Sequence, residues 1–261
     1  MIHKTAVISS KANIDEGVQI GPYCVIDSGV TIKKNSILIS HVYVTGNTFI
    51  GENNKFYPFS SIGTIPQDKK YSGENSKLII GNNNIFREHV TVNTGTEHGG
   101  MLTKIDNNCL FMVGTHIAHD CNIFSNVIMA NNATLAGHVI VNENAILGGL
   151  SAIHQFVNIG KFAMIGGMSG VESNIIPYGL YTGIRGNLRG LNLIGLKRKK
   201  TDPNNIKLIQ KIFLKIFDKK NSIEANLVKL SDQEKSIIEI KEIIEFINKN
   251  LKRGICRYNG E

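Results

Sequence analysis

Long apolar runs, leader-like N-termini and paired cysteines are all missing from this 261-residue chain. Nowhere do about 18 consecutive apolar residues occur, the minimum for a helix that spans a bilayer. The opening MIHKTAVISS lacks the uninterrupted apolar core of a secretory leader. A cytoplasmic protein without integral membrane association is expected. Cys24, Cys109, Cys121 and Cys256 form no CxxC pair, so reduced thiols are expected rather than a zinc knuckle or a disulfide framework. Acidic residues are in deficit, 21 Asp+Glu against 29 Lys+Arg, and the net charge is +8. That excess favours an acidic partner: nucleic acid, anionic membrane, nucleotide phosphates or an acidic protein. Charge alone does not choose among them.

Through Val171 no helical period of 3.6 is present; the period is six. Stepping by six from Ile8 meets Ile14, Ile20, Ile26, Ile32, Leu38, Val44, Ile50, Phe56 and Ile62. The register resumes with Ile80, Phe86 and Val92, and again from Ile105 to Val171. None of these positions is polar. Two residues before each lies a mostly small residue, such as Ala6, Cys24, Ser36, Cys109, Thr115, Cys121 or Ala133. Positions two apart on a strand share a face, so each hexapeptide reads as one short strand with two inward residues. A turn rich in Gly, Asn and Asp follows, as in Ile50-Gly51-Glu52-Asn53-Asn54. Three hexapeptides close a triangular coil of about 18 residues, and the stack becomes a parallel β-helix of roughly eight coils, about 40 Å long. An amphipathic helix and an antiparallel meander both fail on this fixed period.

Two breaks in the register, 64–77 with PQDKKYSGE and 94–102 with TGTEHGGML, must leave the solenoid as loops, the second glycine-rich and flexible. After Val171 the repeat ends and Asn174-Ile175-Ile176-Pro177-Tyr178-Gly179 reads as a linker. Asp202-Pro203 is a helix-start signature. Apolar stripes follow at Ile206, Ile209, Ile212, Phe213, Ile216 and Phe217, and from Ile237 to Ile247. The expected organisation is a mainly β prism over 1–183 and a C-terminal α-helical domain over 184–261, packed on the prism or on a neighbouring subunit.

Residues 18 apart stack on adjacent coils. His119 therefore aligns with Gly137 and Gln155, and Asp120 with His138 and Phe156. His116, His119, Asp120, Gly137, His138, His154 and Gln155 are expected on one exposed edge, whereas His3, His41, His89 and His98 are expected to be solvated. Two chemistries compete for the cluster. Zinc needs three converging ligands and an open position, as in the γ-class carbonic anhydrases, which share this prism. Their ligand pair is spaced five apart; HIAH is spaced three apart. General-base chemistry needs an imidazole, a carboxylate to support it and a donor for the oxyanion. His119, Asp120 and the Gly137 N–H meet that list, provided a turn brings the adjacent side chains together. A purely structural solenoid is the non-enzymatic alternative.

HIAHDC at 116–121, ANNATLAGHV at 130–139, GGLSAIHQF at 148–156, QDKKYSG at 67–73 and GLNLIGLKR at 190–198 together resemble the UDP-N-acetylglucosamine O-acyltransferases. These hexapeptide-repeat acyltransferases open lipid A synthesis in Gram-negative bacteria, and the resemblance covers essentially the whole chain. It implies a left-handed parallel β-helix and a homotrimer with sites between subunits. It also implies transfer of a (3R)-3-hydroxyacyl chain from acidic acyl carrier protein to the 3-hydroxyl of UDP-N-acetylglucosamine, without metal, redox cofactor or nucleic acid. Some relatives accept a 3-amino analogue, and that alternative stays open. His119 would be the base, Asp120 its orienter and Gly137 N–H the oxyanion donor. Asp68 and His138 would contact the sugar, Lys70 a diphosphate or nearby polar group, and Gln67 and Gln155 would assist positioning. His116 and His154 would line the cleft, and Asn192 and Arg198 would hold the nucleotide from a neighbouring subunit. Gly167 aligns with the position that limits the acyl groove, and its missing side chain favours a long chain. Cys109 and Cys121 sit at inward positions, against a thiol nucleophile. Ile194 departs from the family, some of whose members are acidic there. The run Lys197-Arg198-Lys199-Lys200 is either solvated charge or a patch that steers carrier protein. A related N-acyltransferase carries an extra N-terminal uridine-binding domain, for which a register starting at Ala6 leaves no room.

Overall fold

The structure, a computed structural model, describes residues 1–259. Two-residue strands recur every six positions and stack into three flat sheets. The nine-stranded sheet runs from Val7–Ile8 to Gly170–Val171, and the eight-stranded sheet from Asn13–Ile14 to Asn158–Ile159. The ten-stranded sheet starts at Gln19–Ile20. Pairing is parallel, with registers such as Ile8↔Ile26 and Ile117↔Leu135 that step one coil. The prism is thus the expected left-handed parallel β-helix.

Its core is the six-residue column itself. From Ile20 to Val171 each position of the column is at most 2 % exposed, and a side chain so buried contributes about 1.5–3 kcal/mol of transfer free energy. Ile8 and Ile14 are only partly buried because the terminal coil has no neighbour beneath it. Inside the ten-stranded face Phe56, Phe86 and Phe111 stack at centroid separations of 4.7 and 4.9 Å. Buried asparagines pin one corner: Asn84 accepts from the Cys109 N–H at 2.8 Å and donates to the Asp106 carbonyl at 2.9 Å.

The corners explain the turn composition. Asn35, Asn53, Asn83, Asn108, Asn126 and Asn144 hold φ between 57° and 62°. This left-handed region is costly for most residues but accessible to asparagine. A second corner column, Asp120, His138 and Phe156, has φ of 59°, 62° and 64°.

The segment expected as a linker is not one. Asn174 to Gly179 is buried, Ile175 bridges to Ile159, and Asn174 accepts from the Cys256 N–H at 2.8 Å, so it continues the prism as a partial coil. Gly179–Thr182 then pairs in parallel with Met164–Ile165, and Asn187–Leu191 folds back on it as an antiparallel hairpin. The 183/184 junction falls in the turn of this hairpin. Among the described residues five α-helices follow rather than two: α1 (Leu193–Arg198), α2 (Pro203–Ile216), α3 (Ile223–Val228), α4 (Asp232–Ser236) and α5 (Ile238–Asn250). The three unexpected ones are five or six residues long, too short to display a period. Asp202 caps α2, as its sequence implied. α5 is bolted to the last coils through Glu242, which accepts from both Lys161 and the Tyr178 hydroxyl.

Candidate active site

Both insertions leave from the same edge of the prism, between the nine- and eight-stranded sheets: 65–76 follows Ser61–Thr64, and 94–101 follows Thr91–Asn93. The next coils on that edge are the corners that carry His119, Gly137 and Gln155. A wall of loop therefore stands beside the histidine ridge. Asn93 fastens its base, donating from Nδ2 to Thr64 Oγ1 at 2.9 Å and to the Ile65 carbonyl at 3.0 Å.

The left-handed φ of Asp120 swings its carboxylate back toward its neighbour, as the turn geometry required. His119 Nδ1 lies 2.8 Å from Asp120 Oδ2. A carboxylate only accepts, so Nδ1 carries the proton, and in the neutral imidazole Nε2 is the atom with the free lone pair. Adjacent coils are in register here: the His138 N–H donates to the His119 carbonyl at 3.0 Å, and the Phe156 N–H to the Gly137 carbonyl at 3.1 Å. The His119 ring fills the space that a side chain at 137 would take, since a Cβ there would come within 2.4 Å of Cε1 and 2.6 Å of Nε2. The Gly137 N–H meets no acceptor among the described residues.

His138 packs edge-on to His119, centroids 5.1 Å apart, and stacks on Phe156 at 4.3 Å. Burial lowers its pKa, opposed by Asp120, reinforced by His119 and opposed again by Asp68. That last influence means the 65–76 loop carries Asp68 into the neighbourhood of His138. Asp68 itself accepts from the Lys70 N–H at 3.0 Å, while the Gln67 and Lys70 side chains are exposed. His116 Nδ1 pairs with Thr91 Oγ1 at 2.7 Å, and burial, then His119, lowers its pKa. His154 is exposed, with Nδ1 3.3 Å from the Arg253 guanidinium. Gln155 lies beside it.

Three expectations need correction. Asp120 is not on the exposed edge: its side chain is 0 % exposed. The glycine-rich second insertion is not loose, because Thr96 donates to Asp120 through both its N–H (2.9 Å) and its hydroxyl (2.6 Å). Lys199 does not belong to a solvated basic run; it donates to Tyr178 Oη at 2.9 Å and Glu239 Oε1 at 3.0 Å. Lys197, Arg198 and Lys200 are exposed. Among the distant histidines His41 and His89 are exposed but stacked, in a column Tyr23, His41, Phe59, His89 with spacings of 5.0 to 5.3 Å.

Asn192 and Arg198 stay apart from the ridge within one chain. Asn192 caps α1 by accepting from the Gly195 N–H and donates to the Phe162 carbonyl at 2.8 Å, more than two coils beyond His119. Gly167 is exposed at the opposite edge of the nine-stranded face. Thr96 and Thr103, whose hydroxyl accepts from the Asp120 N–H at 2.8 Å, escaped sequence reasoning. The available signal was the run of glycines at 95, 99 and 100.

His119, Asp120 and His138 offer ligand atoms within 4.8 Å of one another. The donor set does not suit a metal, however: the Asp120 oxygens already accept three hydrogen bonds, and His119 Nδ1 is committed to one of them. Thiolate chemistry is equally disfavoured, since burial pushes the Cys109 thiol up to about 11 and Cys121 up to about 12.

The half-buried imidazoles also set an acid limit on stability. The folded-state pKa of His116 lies below the usual 6.5, so below that pH the unfolded chain takes up the proton first. Stability therefore falls as pH drops through the window below about 6.5 and is level above it. Melting temperatures measured from pH 5 to 8 are expected to follow this slope in the wild type and to become shallower in His116→Gln, where His138, lowered in the same direction, still contributes.

The chain is similar to proteins of known activity. The family described as Udp N-acetylglucosamine O-acyltransferase, domain 2, matches residues 174–256. Acyl-(acyl-carrier-protein)–UDP-N-acetylglucosamine O-acyltransferase of Rickettsia canadensis is 46% identical over 257 residues, 98% of this chain and 97% of the relative. Its namesake from Thermodesulfovibrio yellowstonii is 47% identical over 256 residues, with 98% and 99% covered. A crystal structure of a UDP-N-acetylglucosamine acyltransferase superposes with a TM-score of 0.94 at 40% identity, covering 100% of both chains. The Francisella novicida enzyme gives 0.94 at 34% identity, over 99% of this chain and 94% of that one.

Proposed function

This chain belongs to the acyl-(acyl-carrier-protein)–UDP-N-acetylglucosamine O-acyltransferase family, and from that membership we propose how its histidine ridge performs the reaction. The enzyme moves an acyl chain from acyl carrier protein to UDP-N-acetylglucosamine, the first step of lipid A biosynthesis. The observation that carries the mechanism is the 2.8 Å contact between His119 Nδ1 and a buried carboxylate. It leaves Nε2 as the basic atom. The sugar 3-hydroxyl gives its proton to Nε2 while its oxygen attacks the thioester carbon of the (3R)-3-hydroxyacyl donor. Gly137 N–H stabilises the resulting oxyanion. As the C–S bond breaks, the proton on Nε2 passes to the departing sulfur, and an ester and a free thiol result. The elevated thiol pKa values argue against a covalent acyl-enzyme. Asp68 and His138 then bind the sugar, with Gln67, Lys70, His116, His154 and Gln155 around the two substrates.

We also propose that the enzyme is a homotrimer. His119 and Gly167 occupy opposite edges of one sheet, so an acyl chain joining them has to cross the outer face of that sheet. A second copy would cover the chain there and bring Asn192 and Arg198 to the nucleotide. The exposed aromatic column from Tyr23 to His89, with Leu150 and Met168 exposed further along the same corner, also favours a covering copy. Sedimentation equilibrium is expected to give three chains; a monomer at the assay concentration would refute this. Lys197, Arg198 and Lys200 would steer the acidic carrier. Among the described residues no helix is long and apolar enough to cross a membrane, and all four cysteines are free, which favours the cytoplasm.

The test is a mass-spectrometric assay with UDP-N-acetylglucosamine, its 3-amino analogue and a ladder of hydroxyacyl carrier proteins. An O-acylated sugar nucleotide carrying a long chain is expected; product from the amine alone would overturn the ester assignment. A Cβ at 167 would lie 3.2 Å from the Gly149 carbonyl oxygen and 3.9 Å from the Gly149 nitrogen, so a side chain there asks that backbone to give by a few tenths of an ångström. Gly167→Met is expected to move the preferred chain several carbons shorter in the same assay.

A further inference from the structure

The second insertion does more than wall the cleft. Asp120 receives three donors: His119 Nδ1 and the Thr96 hydroxyl on Oδ2, at 2.8 and 2.6 Å, and the Thr96 N–H on Oδ1 at 2.9 Å. The final torsion of a carboxylate is soft and two-fold, so one bond from His119 would leave the group free to rock. Donors on both oxygens fix its plane. The loop reaches the carboxylate only because it lacks side chains there: a Cβ on Gly99 would fall 1.9 Å from Asp120 Cγ, and one on Gly95 2.8 Å from Oδ1. The loop is itself held. Its Gly99 and Met101 N–H groups both donate to the Thr96 carbonyl, at 3.1 and 2.8 Å, and Thr94 Oγ1 accepts from Ser76 at 3.0 Å. Thr96 is 3 % exposed.

We propose that Thr96 is a positioning residue for the transfer reaction, which aims the His119 base by clamping both oxygens of Asp120. The inference rests on the general-base reading given above. A hydrogen bond to a charged group is worth enough to change a rate by about tenfold to a hundredfold when it acts in the transition state. Thr96→Val removes the hydroxyl donor at nearly constant volume, and Thr96→Ala repeats the deletion without the added methyl. Both are expected to lower kcat by about tenfold or more, with KM for acyl carrier protein and for the sugar nucleotide within about twofold. Thr96→Ser, which restores the donor, is expected to recover most of the rate. If Thr96 acts through Asp120, the double variant T96V/D120N is no slower than D120N alone. In protein labelled with nitrogen-15 at histidine, the Nδ1–H resonance of His119 is expected to shift in T96V and not in T96S.

Wild-type kcat in both deletions, a loss confined to KM, an equal loss in Thr96→Ser, or full additivity with D120N would each overturn the proposal. His119→Ala is measured beside them. Should it stay active, the general-base reading fails; should it be inactive while T96V and T96A turn over normally, the positioning role alone fails.

Discussion

His119→Ala is expected to lower kcat by at least about a hundredfold, the lower range for deleting a general base, while leaving the melting temperature nearly unchanged. The two halves of this result have separate causes. The imidazole lies on a corner, 14 % exposed, and takes no part in the apolar column that holds the coils together. Its removal does not orphan Asp120, whose oxygens keep both Thr96 donors. What disappears is the basic nitrogen that rests against Gly137. Steady-state rates with saturating substrates, beside a thermal melt, check both halves. An unchanged rate would favour the solenoid as a structural element and would remove the mechanism proposed for the family's reaction here.

Gly137→Ala should be nearly as severe, for a different reason. Its Cβ would lie 2.4 Å from His119 Cε1, 2.6 Å from Nε2 and 3.0 Å from Nδ1, inside any real carbon contact. The ring cannot slide away without breaking the 2.8 Å bond to Asp120. A displacement of about 1 Å at a reacting group costs on the order of a hundredfold, and that loss in kcat/KM is expected. Gly137 does not occupy the left-handed region, so alanine brings no backbone strain, and the fold should survive by circular dichroism. Alanine also keeps the backbone N–H. The variant therefore separates the need for an empty Cβ from the need for an oxyanion donor. Full activity in Gly137→Ala would mean that the His119 ring does not rest on residue 137 during catalysis.

The prism was legible because its period is a one-dimensional signal. Each hexapeptide repeats the same burial, so Ile26, Val44 and Ile62 announce their common face without any knowledge of their neighbours. The same arithmetic put His119 beside Gly137 and Asp120 beneath His138, since parallel coils preserve register. The helical tail was less legible. α2 and α5 carry stripes long enough to reveal a period of 3.6, whereas α1, α3 and α4 are too short. Asn174 to Gly179 looked like a linker because the hexapeptide pattern stops there, yet Ile175 still finds Ile159.

Sequence by itself therefore determined the fold class, the stacking of the ridge and, through resemblance, the chemistry to expect. Only the tertiary structure decided how the ridge is held. Register tells which residues are neighbours along the axis of a solenoid; it is silent about insertions, whose paths follow no period. That Thr96 turns inward onto Asp120, that Lys199 is consumed by Glu239 and Tyr178, and that both insertions wall the same edge are matters of long-range hydrogen bonding and excluded volume, which no repeat encodes.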